Sequence, residues 1–159
     1  MTIRSIRSSV LLAKPLSEVF PFFSDALNLQ RITPPWLRFE VLTPQPISME
    51  VGNKIDYRLR VRGFPLRWTS EITAWEPPFR FVDEQVRGPY RLWVHEHRFS
   101  EKDGMTLAED YVRYAVFGGA LTDRLFVRRD VERIFAYRRK TMIELFGTAP
   151  DLVEVHEAA

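Results

Sequence analysis

His95 and His97 lie one residue apart, with Asp110 and then Arg138 further along the chain. These residue types support three kinds of chemistry. An imidazole set against a carboxylate holds one tautomer and titrates near neutrality, as a cyclisation or dehydration requires. That makes His95, His97 and Asp110 the candidate catalytic residues. An H-x-H pair on a strand also offers two nitrogens to a metal, but two histidines and one distant carboxylate lack a third ligand of secure position, so no metal is expected. The plainest reading is structural: a buried Arg138 facing a buried Asp110 is an ion pair, retained because losing one partner strands the other at a cost of about 3–5 kcal/mol.

For these side chains to meet, strands must aim them. Alternation along residues 90–100 puts Trp93, His95, His97 and Phe99 on one face and Leu92, Val94, Glu96 and Arg98 on the other. The Glu and Arg mark the second face as the solvent side, so the histidines point inward. If the turn around Lys102 and Asp103 closes a hairpin in the simplest register, Ser100 faces Met105, His97 faces Ala108, His95 faces Asp110 and Trp93 faces Val112. Asp83 and Gln85 join the inward face if the loop at 87–89 has three residues, whereas a two-residue loop turns them out.

The largest positioning element is a helix predicted over residues 120–146. At 100° per residue Val127, Val131, Ile134, Phe135, Met142 and Leu145 share a face, together with Arg124, Arg128 and, at its centre, Arg138. A charge is thereby aimed at whatever the helix covers. Upstream, residues 2–12 read as a strand leading to Lys14-Pro15, and 15–24 and 25–31 as two short helices, the second capped by Asp25 and stopped by Thr33-Pro34-Pro35. Residues 37–43 read as an edge strand, and 54–62, 66–75, 79–86, 90–100 and 105–116 as strands bounded by Gly and Pro turns. Gly118-Gly119 makes the bend into the long helix. About seven strands and one long helix predict an α+β fold with a curved antiparallel sheet around that helix.

A chain of 159 residues, 45% hydrophobic and 13% aromatic, suffices for one packed domain without disulfides. Residues 1–147 form that expected domain, and 148–159 read as a flexible polar tail. No apolar run reaches transmembrane length, the first residues lack a secretory h-region, and there is no cysteine. A reducing cytoplasm is the expected location. Net charge is only +2, and 19 of the 23 basic residues are arginine. Arg58, Arg60 and Arg62 alternate along one strand with Arg67 following, but the aromatics lie on the opposite face with Tyr57 and Trp68, so no nucleic-acid partner is expected. With no phosphate-cradling Gly loop and no nucleophile elbow, no cofactor is expected either. Oligomeric state is left open.

Gly88-Pro89 with Trp93, His95, His97 and Phe99, then Gly104, Thr106, Asp110, Val112 and Tyr114, then Ile134-Phe135 with Tyr137-Arg138, resemble the START-like (SRPBCC) helix-grip superfamily. So does Ile32-Thr33-Pro34-Pro35-Trp36, and the resemblance spans residues 2–147. Within it these residues resemble the polyketide cyclase/dehydrase and lipid-transport group, as a ligand-binding protein of the CoxG-like type. The resemblance implies a helix-grip fold with a cavity between sheet and helix, on a scaffold shared by carriers, sensors and enzymes. The cavity is expected to be lined by Tyr57, Leu59, Trp68, Phe81, Trp93 and Phe99, with His95, His97, Asp110 and Arg138 as its polar groups. Three functions follow: binding of a small hydrophobic or amphipathic molecule, lipid-, polyketide- or aromatic-like, as carrier or sensor; cyclase- or dehydratase-type catalysis without a cofactor; or a protein-interaction module with a closed cavity.

Overall fold

The computed structural model describes residues 1–148. Strand β1 (Arg4–Leu12) leads into α1 (Leu16–Phe23), where Pro15 precedes the first turn. The second short helix is a 3₁₀ turn, Ala26–Ile32, and Asp25 caps it by accepting a hydrogen bond from the Leu27 N–H at 3.0 Å. A further 3₁₀ turn, Pro35–Leu37, ends on Arg38 in the left-handed region. That turn consumes the start of the expected edge strand, so β2 is only Glu40–Val41.

Five long strands follow: β3 (Lys54–Val61), β4 (Phe64–Glu76), β5 (Arg80–Arg87), β6 (Tyr90–Lys102) and β7 (Met105–Val116). All pairs are antiparallel, in the order β1-β7-β6-β5-β4-β3-β2. Two register shifts in the β4–β5 pair, at Thr69/Ser70 and Ile72/Ala74, add the bends that curl the sheet. The buried positions of β3 are Ile55, Tyr57 and Leu59, as period-two alternation requires of a sheet with one covered face.

The chain then turns at Gly118 and Gly119, both at positive φ, into the helix that the sheet grips. It is not one uniform helix. α2 (Gly119–Thr122) runs through a π-helical turn, Asp123–Val127, into α3 (Arg128–Phe146). The wider turn rotates the first segment against the second, so Asp123 is buried 3.5 Å from Arg4 while Arg124 and Arg128 are exposed. Of the expected inward residues, Val131, Phe135, Arg138 and Met142 are buried; Leu145 is exposed, and Phe146 packs on Phe22 and Phe23 of α1 in its place. After the helix, Thr148 pairs with Leu12, its hydroxyl donating to the Leu11 carbonyl at 2.7 Å. The rest of the expected tail, 149–159, lies outside the described residues.

Among the described residues the interior is three apolar clusters. One packs α1 on the sheet through Val19, Phe20, Phe23, Phe81, Phe99 and Met142; a second gathers Ala26, Ile55, Tyr57 and Ile72; a third joins Val112 and Tyr114 to Val131 and Phe135. No helix among the described residues is long and apolar enough to cross a membrane.

Candidate functional site

Between the three clusters the molecule is hollow. The cavity holds about 180 Å³, with walls from Tyr57 and Leu59 of β3, Trp68, Ser70 and Ile72 of β4, Phe81 and Asp83 of β5, Trp93, His95 and His97 of β6, and Ile134, Phe135 and Arg138 of α3. Phe23, Leu29, Leu37 and Phe39 close the end beneath the short helices. Most of the wall is apolar; Ser70, Asp83, His95, His97 and Arg138 concentrate polarity on one side.

That polar side is a single hydrogen-bonded chain. Arg138, 5% exposed, grips Asp110 with a two-pronged fork, Nε to Oδ2 at 2.9 Å and Nη2 to Oδ1 at 3.0 Å. His95 Nε2 lies 2.7 Å from the same Oδ1. Arg138 Nη2 also reaches His97 Nδ1 at 3.3 Å, and His97 Nε2 lies 2.8 Å from Asp83 Oδ2. A guanidinium can only donate, so His97 Nδ1 accepts and its proton sits on Nε2, donated to Asp83. At the far end Trp68 Nε1 donates to Ser70 Oγ at 3.1 Å, and Ser70 Oγ donates weakly to Asp83 Oδ1 at 3.4 Å. His97 is clamped between the rings of His95 and Phe81, with centroids 3.7 and 4.0 Å away.

The charges follow from this order. Burial, then the neighbouring His95 and Arg138, push His97 down to about 4 against the pull of Asp83, so it is neutral near pH 7. Burial alone would raise Asp110, but Arg138 and His95 outweigh it and hold the carboxyl well below the usual range. Asp83 is lowered in the same sense, its burial outweighed by the His97 hydrogen bond and by His95 and Arg138. Two carboxylates and one guanidinium therefore meet two imidazoles, and Asp83 and Arg138 are the charged members of this chain that line the cavity, Asp83 as its carboxylate. Tyr57 is pushed up, first by burial and then by Asp83 and Asp56, so its hydroxyl stays protonated.

The model of the family described as polyketide cyclase / dehydrase and lipid transport matches residues 12–136. The chain belongs to this family. Solved structures agree in fold. The aromatase/cyclase Zhui from Streptomyces sp. R1128 is 19% identical, with 91% of this chain and 93% of that one covered and a TM-score of 0.66. Protein Ms6760 from Mycobacterium smegmatis is 18% identical over 89% of each chain at a TM-score of 0.65. Protein CV1439 from Chromobacterium violaceum is 13% identical, covering 92% of this chain and 99% of that one at 0.70. No curated protein matches the sequence.

Within this member of the family, the expected hairpin register is off by two residues. Lys102 pairs with Met105 around the two-residue turn Asp103-Gly104, both at positive φ, so His97 sits opposite Asp110, His95 opposite Val112 and Trp93 opposite Tyr114. A slip of two leaves every side chain on its face, and His95 still meets Asp110 along the diagonal. The β5–β6 connection has the parity of the three-residue alternative: Phe81 pairs with His97 and Asp83 with His95, which brings Asp83 inward. Gln85 does not reach the cavity wall; its amide pins the turn by donating to the Tyr90 carbonyl at 2.8 Å and accepting from the Tyr90 N–H at 3.2 Å.

Of the residues expected at the cavity, Tyr57, Leu59, Trp68, Phe81, Trp93, His95, His97 and Arg138 line it. Phe99 does not, because α1 covers it with Phe20 and Phe23 at centroid distances of 5.5 and 4.9 Å. Asp110 stands behind Arg138 and His95. Sequence reasoning missed Ile55, which the alternation with Tyr57 and Leu59 would have supplied, and Leu37 and Phe39, for which the sequence carried no signal. Asp83, His95 and His97 offer donor atoms within 4.8 Å of one another, a spacing that could hold a metal ion. The hydrogen-bond order opposes it: His97 Nε2 carries a proton, and the Arg138 guanidinium is 3.3 Å from the same ring.

Proposed function

We propose that this protein binds a small amphipathic molecule in the cavity, as a carrier or sensor. The observation that carries the reading is the asymmetry of the wall: aromatic and aliphatic on most sides, with one ionised carboxylate, Asp83, turned inward. A volume of about 180 Å³ slightly exceeds the roughly 150 Å³ that admits benzene and falls below the roughly 300–1,000 Å³ of ordinary ligand pockets. The matching ligand is a one- or two-ring molecule, or the ring end of a longer one, with a hydroxyl that donates to Asp83. Burying such a ring stabilises the complex by roughly 4–6 kcal/mol before association costs, so the apolar wall supplies affinity and Asp83 supplies choice. A volume sufficient for a ring also weighs against a closed interaction module.

Naphthalene and 2-naphthol differ by one hydroxyl and test the reading by calorimetric titration. The wild type is expected to prefer 2-naphthol by about tenfold or more, and Asp83→Asn to narrow that gap while keeping naphthalene affinity. Equal affinity of the wild type for both compounds would overturn the assignment of Asp83.

A second reading is supported by the same dyad. An ionised Asp83 with a neutral His97 behind it can take a proton from a bound hydroxyl or activated C–H, the step that a cyclase or dehydrase needs. Under that reading His97→Gln leaves ligand affinity nearly unchanged and removes turnover.

A further inference from the structure

One end of the molecule, where Val61, Pro89 and Tyr90 of the cavity wall also lie, is both apolar and basic on its outside. The ends of β3, β5 and β7 and the starts of β4, β6 and α2 converge there. Phe64 at the β3–β4 turn, Phe117 at the end of β7, and Leu121, Leu125 and Phe126 at the helix start each leave half or more of their surface exposed. They form one patch: Arg62, beside Phe64, stacks over the Phe126 ring at 5.5 Å and donates to the Phe126 carbonyl at 3.2 Å. The segment 117–126 supplies the rest, with Arg91 over Phe117 at 5.8 Å.

Exposed apolar groups of this size need an occupant, and the charges around them say which. Arg67, Arg87, Arg91, Arg124 and Arg129 are exposed on or beside this end. The carboxylates nearby are already engaged, since Asp123 is buried beside Arg4 and Asp130 is held by Arg62 at 3.0 and 3.2 Å. The net field is positive although the whole chain carries only +2. Leucine and phenylalanine tips fringed by arginine complement a surface with phosphate at its boundary and hydrocarbon just beneath.

We propose that this end docks on an anionic lipid bilayer, with Phe64, Phe117, Leu121, Leu125 and Phe126 entering the headgroup layer and the arginines meeting lipid phosphates. Docking stands on this surface alone and does not require an occupied cavity.

The test is co-sedimentation of the full chain with vesicles of phosphatidylcholine, with and without about 30% phosphatidylglycerol. The expected result is binding to the anionic vesicles only, weakened about tenfold or more between roughly 0.1 and 0.5 M salt. Leu121→Ser with Leu125→Ser, and separately Arg124→Gln with Arg129→Gln, should each reduce partitioning by about tenfold with an unchanged circular dichroism melt. Three results would overturn the proposal: no binding to either vesicle, equal binding to both, or variants that partition as the wild type. Light scattering covers the competing occupant. A stable dimer that Leu121→Ser with Leu125→Ser dissociates would assign the patch to a second copy of the chain.

Discussion

Arg138 is the residue on which the polar side of the cavity turns. It satisfies both oxygens of Asp110 and fixes the tautomer of His97, so its removal leaves a buried carboxylate with only the imidazoles of His95 and His97 beside it. Arg138→Met is expected to cost about 3–5 kcal/mol in urea melts at neutral pH, and His95→Gln only about 1 kcal/mol, because the arginine fork survives that change. Equal, small losses from both would mean that Asp110 does not depend on Arg138. His97 sets the pH dependence. Its folded value of about 4 lies below the ordinary 6.5, so the unfolded chain takes up the proton first and stability falls as acid is added. The contribution is complete above pH 6.5 and is lost towards pH 4, on the order of 3 kcal/mol, whereas Asp83 and Asp110, held low, act only below that window. Thermal melts from pH 7 to 4 should therefore slope steeply for the wild type and much less for His97→Gln. The residue types and their inward faces were legible in sequence because alternation is local. The pairing of Asp83 with His97 was not, since it depends on whether the β5–β6 loop is odd or even.

At the scale of elements, the β6–β7 hairpin shows what alternation leaves open. A register centred on Lys102 and Asp103 and one centred on Asp103-Gly104 put the same residues on the same faces, so burial cannot choose between them. The backbone chooses: Gly104 at φ 77 and Asp103 at φ 52 make the two-residue turn whose twist matches the strands. Gly104→Ala has open space around the added methyl and meets only the left-handed penalty. It should cost about 1–2 kcal/mol without changing ligand affinity, measured by urea melt and titration. A larger loss, or altered affinity, would place the site's register under the control of something other than this turn. The long helix shows the same limit. Its central face was read correctly at 100° per residue, but the π-helical turn at Asp123–Val127 rotated Arg124 outward and Asp123 inward, to Arg4 and Tyr114. Phe99 was assigned to the right face of β6 and the wrong neighbourhood along it, because alternation does not tell which part of a strand α1 covers.

For the whole molecule, three apolar clusters hold the sheet, α1 and α3 together and leave a hollow between them. The gross architecture was readable because the order of elements admits few ways of covering one curved sheet. The cavity's volume was not, because it depends on how far the helix stands from β3 and β4 after every side chain has packed. The arginines on and just after β3 are partly spoken for, Arg58 by Glu40 and Arg62 by Asp130. Arg62 ties the β3–β4 turn to the helix beside Val61 of the cavity wall.

The central claim is that this hollow is a binding site rather than a packing defect. Calorimetric titration of 2-naphthol into the wild type and into Leu59→Trp, which fills the space next to Tyr57 and Trp68, addresses it most directly. Saturable one-to-one binding with a negative heat-capacity change is expected in the wild type, and its loss in Leu59→Trp with the fold retained. Absence of saturable binding in the wild type, or the same binding in the filled variant, would contradict it.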